Sequence, residues 1–131
     1  MNFGSLKLYI DGQLVEATNG GKQTILCPAN EEAIAEVAWA DEADAQKALE
    51  AAKKGFKYWS ALSLSERTEW MSKLRTAILE RESLLRQAIV HEMGKTYAGS
   101  YEDIEAITNA LQFYPKAVSY THLTLPTKVT V

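Results

Sequence analysis

Alternation of apolar and polar residues near the start of the chain predicts β-strands. The segment LKLYIDGQLVEA alternates on both sides of Asp11-Gly12, a dipeptide that tolerates positive φ at both central positions of a tight turn. It therefore predicts a β-hairpin with strands near residues 6–10 and 13–17.

Two further strands are predicted before the pattern changes. The segment QTIL forms a short strand that stops at Cys27-Pro28, because proline cannot donate a hydrogen bond to a strand ladder. The segment AIAEVAWA predicts the next strand, with the side chains of Ile34 and Val37 buried.

From Asp41 onward the apolar period changes from 2 to 3.6 residues, which predicts helices. Asp41 is expected to cap the first helix, and Glu42 and Asp44 place negative charge in its first turn, where the helix dipole favours it. Gly55 weakens this helix by about 1 kcal/mol relative to alanine, and its small size is expected to allow close packing against a neighbour. The apolar face consists of Ala45, Ala48, Leu49, Ala52, Phe56 and Trp59.

The next helix begins in SLSE, where Ser63 and Glu66 have the spacing of a capping box. Its apolar face continues for about 30 residues, which is long for a globular helix, so we expect a break in ERES around Ser83. Gly94 is expected to end this helical run, because glycine adopts the left-handed conformation without a Cβ penalty. The face comprises Trp70, Leu74, Ala77, Ile78, Leu84, Leu85, Ala88, Ile89 and Met93.

A further helix is predicted from near Ser100, and Pro115 is expected to kink or end it. The last stretch, VSYTHLTLPTKVTV, is threonine-rich and β-prone. The apolar side of the helix is formed by Tyr101, Ile104, Ile107, Leu111 and Tyr114.

Composition places the chain among ordinary globular proteins. Its 131 residues suffice for one domain that buries roughly two-thirds of its unfolded surface. A net charge of -3 and a pI near 5.4 argue against binding to nucleic acid or to an anionic membrane surface. No apolar run approaches the roughly 20 residues that span a bilayer, and the start has no signal-peptide pattern. The single cysteine, Cys27, forms no internal disulfide, so we expect a cytoplasmic protein.

The segment HEMGKTY, residues 91–97, contains parts of two motifs and completes neither. A P-loop needs a glycine five positions before Gly94, and that position is Ile89. A zinc-binding helix of the H-E-x-x-H kind needs a second histidine one turn after His91, and that position is Lys95. The segment is therefore interpreted as a helix end.

Several pieces in a fixed order resemble the N-terminal part of the NAD(P)-dependent aldehyde dehydrogenase superfamily. They are YIDGQ at residues 9–13, an apolar entry ending at Pro28, and EVAWA at residues 36–40. An alanine-rich helix closing on Trp59, Arg67 at the next helix start, and EMGK at residues 92–95 complete the match. The order and spacing of these pieces carry the resemblance, which covers roughly residues 6–118.

This resemblance implies an α/β fold class: the N-terminal β-hairpin and helical segment of a Rossmann-like cofactor-binding domain, mostly helical as a fragment. The intact enzyme would oxidise an aldehyde to a carboxylic acid with NAD or NADP, and would be a homo-oligomer. In that chemistry a cysteine thiolate attacks the aldehyde carbon, hydride leaves to the nicotinamide, and a glutamate-activated water hydrolyses the thioester.

The resemblance also places the nucleophilic cysteine, the general-base glutamate and the cofactor motifs beyond residue 131. No catalytic, cofactor-binding or metal-ligating residue is therefore predicted here, and the chain alone is expected to bind no cofactor and to be inactive. Cys27 stands where the family usually has asparagine, and we interpret it as a small buried thiol at a turn.

The resemblance divides the chain into residues 1–118, the truncated part of a cofactor-binding domain, and residues 119–131, an unmatched tail. The tail, SYTHLTLPTKVTV, resembles translated read-through of vector or adapter DNA.

Three residues remain as candidates for ion binding. Relatives sometimes hold a structural monovalent cation near a carboxylate that matches Asp103, whereas its surroundings in YEDIEAI favour a solvated helix face. His91 and His122 are single imidazoles without ligand spacing, so no metal is assigned to them.

A second interpretation is a small helical protein-interaction module that binds a partner through aromatic side chains. These side chains are more simply explained as surface meant for a sheet that the chain lacks, and uncovered they would promote association. The chain alone is then expected to be poorly soluble or loosely packed. The aromatic residues are Phe56, Trp59, Trp70 and Tyr114.

Overall fold

The structure is a computed structural model that describes residues 2–124, with side chains described for residues 2–118. Short strands come first and helices follow, which confirms the predicted mixed α/β class. The strands are β1 (Ser5–Leu6), β2 (Leu8–Ile10), β3 (Gln13–Val15), β4 (Lys22–Leu26) and β5 (Ala33–Ala38). The helices are α1 (Glu42–Ala61), α2 (Leu64–Glu80), α3 (Glu82–Met93) and α4 (Tyr97–Thr124).

The predicted hairpin is formed by β2 and β3, which pair antiparallel. Asp11 and Gly12 have φ values of 52° and 79°, the positive values that the turn requires. The predicted start of the first strand is wrong, because Leu6 lies in β1 and pairs in parallel with Val37 of β5. Alternation shows that a residue is extended but does not show which strand it will join.

A separate three-stranded sheet has the order β1-β5-β4, with β4 and β5 antiparallel. The central strand carries Ile34, which is 3% exposed as predicted. Val37 is only half-buried, so its predicted burial is wrong. Its side chain borders an open groove that also contacts Phe3 and Leu6.

The start of α1 is held by a capping box between Asp41 and Asp44, as the sequence predicted for the cap. Asp44 does more than cap, because its carboxylate also accepts hydrogen bonds from the hydroxyl and the backbone N–H of Thr18. The amide distance is 3.0 Å, and Asp44 is 2% exposed. These bonds, the hydroxyl bond first, lower the pKa of Asp44. They fasten the loop after the hairpin to the first turn of α1.

The long helical run breaks at Arg81, inside the predicted ERES segment. Ser63 and Glu66 form the predicted capping box of α2, and hydrogen bonds from Ser63 lower the pKa of Glu66. Gly94 ends α3 with φ of 67°, which confirms the predicted left-handed residue. A Cβ at Gly55 would have no atom within 4 Å, so the expected close packing at that position is wrong.

Helix α4 begins at Tyr97, three residues before the predicted start near Ser100. It continues through Pro115 to Thr124, so of the two predicted effects of Pro115 the helix end is wrong, and the β-prone residues 119–124 are helical. Proline removes one N–H donor, and α4 also packs along α2 and α3, where the Arg75 guanidinium donates to the Thr108 carbonyl at 3.2 Å. Residues 125–131 lie outside the described residues.

The chain buries little of its apolar surface. Its accessible area is 9893 Å², against about 6,900 Å² for a folded monomer of its mass, so about half of the unfolded surface is buried and not the expected two-thirds. Within the described residues the buried apolar residues are few: Ala17, Cys27, Ile34, Ala35 and Ile104.

The Thr18–Asp44 contact predicts a pH dependence. Because folding lowers the pKa of Asp44, the contact is at full strength above the ordinary aspartate pKa, about 3.9, and is lost as pH falls through the lowered value. Hydrogen-exchange protection of the Thr18 amide should therefore fall in acid. In Asp44→Asn this protection should be weak at every pH, whereas Asp11→Asn, an exposed control, should keep the wild-type profile. Protection that is unchanged in Asp44→Asn would contradict the contact.

Alanine substitutions at Gly94 and at Gly55 are expected to have opposite effects on helix stability. Gly94→Ala forces a left-handed alanine and places its Cβ 3.1 Å from Pro28 Cγ, so the last turn of α3 should lose about 1–2 kcal/mol. Gly55→Ala lies inside α1 in open space and should stabilise that helix by about 0.5–1 kcal/mol. Hydrogen exchange of the two helices measures both changes in stability. If both substitutions stabilised their helices, or both destabilised them, the prediction would be wrong.

Candidate functional site

The HEMGKTY segment forms the junction between α3 and α4. Gly94 ends α3, and the helix itself occupies the place where a P-loop has its glycine-rich turn. The ammonium of Lys95 lies 2.8 Å and 2.7 Å from the two carboxylate oxygens of Asp103 on α4. Lys95 is thus an ion-pair partner within the fold, and the geometry does not support phosphate binding by this segment.

The Lys95 ammonium also changes the interpretation of Asp103. The side chain is half-buried and ion-paired, and so it does not lie on a freely solvated helix face as its surroundings suggested. His91 contacts the ring of Phe3 edge-on, with ring centroids 6.4 Å apart. Within the described residues, no group of three or more His, Cys, Asp or Glu side chains could hold a metal ion. His122 lies beyond the side chains that the structure describes.

Arg86 joins α3 to α4 through contacts that the sequence analysis did not identify. Its guanidinium carbon lies 3.9 Å from the ring centroid of Tyr97 and 5.5 Å from that of Tyr101. It donates to the Tyr97 carbonyl at 2.8 Å and to the hydroxyl of fully buried Ser100 at 3.3 Å. Only the pairing with Glu82, at 3.2 Å, was detectable from i,i+4 spacing.

Cys27 occupies a tight turn between β4 and β5. Its backbone N–H donates to the Glu32 carbonyl, and its carbonyl accepts from the Glu31 N–H, each at 2.8 Å. The thiol is buried, with 5% of the residue exposed. The prediction of a small buried thiol at a turn is confirmed.

The candidate functional feature is an open apolar surface. The predicted apolar face of α1 is uncovered almost throughout, and Phe56 is 69% exposed. Trp70 and Tyr114 are 46% and 63% exposed, while Trp59 is half-buried. Exposed apolar surface on this scale is typical of a region that contacts another protein surface.

Three grooves lie between the secondary-structure elements of the chain. The first lies between α2 and α4, the second between the three-stranded sheet and α3, and the third between α3 and α4, with volumes of about 370, 240 and 430 Å³. The second and third grooves share Ala88 and Glu92, and the third and first share Ile107. Shared walls make the three grooves one band, which we call the apolar band.

No helix within the described residues is both long enough and apolar enough to cross a membrane.

Comparison with known proteins identifies the class of fold. The betaine aldehyde dehydrogenase of Staphylococcus aureus, solved in complex with NAD+, is 29% identical, with a TM-score of 0.80 over 85% of this chain and 22% of that chain. The strands and helices are those of the N-terminal part of a cofactor-binding domain.

Sequence comparison gives the family. The sequence profile of the aldehyde dehydrogenase family matches residues 14–128. The 3,6-anhydro-alpha-L-galactose dehydrogenase of Vibrio sp. (strain EJY3) is 27% identical over 82% of this chain and 22% of its own length. A probable methylmalonate-semialdehyde/malonate-semialdehyde dehydrogenase of Drosophila melanogaster is 37% identical over 75% of this chain and 19% of its own.

The chain belongs to the aldehyde dehydrogenase family, whose members are oxidoreductases. It spans about a fifth of the length of the curated relatives that it matches.

The exposure of the α1 face predicts a contrast between two alanine substitutions. Phe56→Ala removes a mostly exposed ring and should change stability by less than about 0.5 kcal/mol. Ile104→Ala, the matched control, removes a buried side chain and should cost about 2–4 kcal/mol. The urea midpoint of the far-ultraviolet circular dichroism measures both. A large loss in Phe56→Ala would mean that the face of α1 is covered in solution.

Proposed function

We propose that this chain is the N-terminal part of the cofactor-binding domain of an NAD(P)-dependent enzyme that oxidises an aldehyde to a carboxylic acid. The family match over residues 14–128 carries the proposal. The apolar band supports it, because a surface of this extent needs a covering layer that the described residues do not provide.

In this proposal the chain supports the domain and contributes no group to the chemistry. Cys27 is the residue that could be mistaken for the nucleophile, and its burial in a tight turn supports a structural role. The carboxylate of Asp44, the most deeply buried among the described residues, accepts from Thr18 and from the Asp41 N–H in the capping box of α1, which supports a structural role there as well. Catalytic groups would then come from other parts of the polypeptide.

The N-termini of α1 and α2 bear on cofactor binding. A dinucleotide pyrophosphate typically binds at a helix N-terminus, where free backbone N–H groups and the helix dipole attract negative charge. Here carboxylates of the chain itself, those of Asp41 and Asp44 on α1 and of Glu66 on α2, take part in the capping boxes. Because the chain's own carboxylates engage these two N-termini, we propose that the chain alone binds neither NAD nor NADP.

The remaining properties of the whole protein are proposals of the same kind. We propose an aldehyde substrate, a homo-oligomeric enzyme and a cytoplasmic location, with no nucleic-acid or membrane partner. The boundary near residue 118 stays a prediction: the family match extends to residue 128, and α4 extends to Thr124. The genomic sequence that follows the codon of Val118 decides whether residues 119–131 are native.

The second candidate function is a protein-interaction module that is complete in itself. The exposed rings of Phe56 and Tyr114 favour it, because aromatic side chains commonly anchor protein interfaces. A module of this kind must fold cooperatively before it meets its partner. The two candidates therefore differ in the state of the isolated chain.

The isolated chain should show no aldehyde oxidation and incomplete packing. With NAD or NADP and an aldehyde such as betaine aldehyde, absorbance at the wavelength of the reduced nicotinamide should not rise. Thermal unfolding should be broad, and an apolar dye such as anilinonaphthalene sulfonate should bind the uncovered surface. An intact aldehyde dehydrogenase serves as the positive control. A monodisperse monomer with a sharp transition and no dye binding would favour the module, and aldehyde oxidation would overturn the structural role.

A further inference from the structure

The groove between α2 and α4 is almost wholly apolar, yet one cationic side chain lines it. Arg67 is that side chain, and none of the residues that line the groove is acidic. A guanidinium beside an apolar wall favours an occupant that is apolar and carries a negative charge. The apolar wall includes Trp59, Leu64, Met71, Leu111, Tyr114 and Val118.

The guanidinium of Arg67 is only partly engaged by the fold. Its Nε donates to the Leu62 carbonyl at 3.1 Å, which fixes the half-buried side chain in place. Within the part of the chain that the structure describes, its two terminal nitrogens have no hydrogen-bond or ion-pair partner. These nitrogens are therefore held at the groove with their donors available.

The carboxylates nearest in sequence are engaged elsewhere. Glu66 accepts from the backbone N–H and the hydroxyl of Ser63, at 2.8 and 2.7 Å. Glu69 pairs with Lys73 at 2.7 Å. Neither of these two carboxylates pairs with the terminal nitrogens of Arg67.

We infer that the groove receives an apolar segment of the longer polypeptide whose single carboxylate pairs with the terminal nitrogens of Arg67. The inference rests on the proposed function, since relatives about five times as long as the matched region contain further chain that can cover the groove. Arginine suits this contact because its planar guanidinium binds a carboxylate through two parallel hydrogen bonds. Arg67 is thus a positioning residue at an interface within the enzyme.

Two short peptides test the inference on the 131-residue chain. The probes are acetyl-Ala-Leu-Glu-Leu-Ala-amide and the same peptide with glutamine in place of glutamate, which differ only in the carboxylate. Binding is followed through the Trp59 indole signal in ¹⁵N-tryptophan-labelled protein, assigned with Trp59→Phe. The glutamate peptide should bind at least about fivefold more tightly than the glutamine peptide, because a charge-assisted hydrogen bond adds about 1 kcal/mol or more.

Substitution separates the charge of Arg67 from its packing. Arg67→Met keeps an apolar stem and should remove the preference for glutamate while the glutamine peptide binds as before. Arg81→Met, the matched control, changes an exposed arginine at the break between α2 and α3 and should keep the full preference. Circular dichroism verifies that both variants retain the helical content of the wild type.

Several results would overturn the inference: equal binding of the two peptides, no binding of either, or a preference that survives in Arg67→Met. Decanoate binding without peptide binding would also overturn it, since the site would then fit a small apolar acid. The titration involves no aldehyde, so its failure leaves the proposed function standing. Conversely, a chain that proves to be a cooperative module can still show the Arg67 preference, which separates failure of the proposed function from failure of this inference.

Discussion

Burial of apolar surface is the interaction on which the rest of this structure depends, and the chain achieves it only in part. Large apolar side chains remain exposed among the described residues, with Phe56 at 69% and Phe113 at 64%. At roughly 25 cal/mol for each Å² of apolar area, covering a few hundred Å² of such surface would contribute about as much as the whole net stability of an ordinary domain. The apolar band is therefore the feature that most constrains the function of the chain.

Local interactions are, by contrast, complete. Both α1 and α2 begin in capping boxes, and α3 ends in a left-handed glycine. The Asp44 carboxylate accepts hydrogen bonds from the loop that follows the hairpin. The Arg86 guanidinium lies over the rings of Tyr97 and Tyr101 and so joins α3 to α4. Within the described residues no buried side-chain nitrogen or oxygen lacks a hydrogen-bond partner. The described elements are thus well formed locally, while large apolar side chains on them remain exposed.

Residues of two familiar chemical motifs are held by contacts within the fold. Lys95 follows a glycine as in a P-loop, but its ammonium neutralises Asp103 and so ties the start of α4 to the end of α3. Cys27 is the only cysteine, but it lies buried in a turn between two strands. In an aldehyde dehydrogenase relative, residues of this kind would shape and support the domain. The open groove beside Arg67 is the surface that we infer receives a further segment of the polypeptide.

The sequence by itself determined the order of the elements, the caps at Asp41 and Ser63, the helix end at Gly94 and the family, because each depends on residues close together in the chain. Only the tertiary structure decided that Leu6 pairs with β5, that α4 continues through Pro115, and that Tyr97 and Tyr101 enclose Arg86. These features depend on which distant segments contact each other. A pattern of apolar positions predicts that a face will be buried, but it does not predict which element will pack against that face. For the same reason the sequence predicted an apolar face on α1, while the exposure of that face became visible only in the structure.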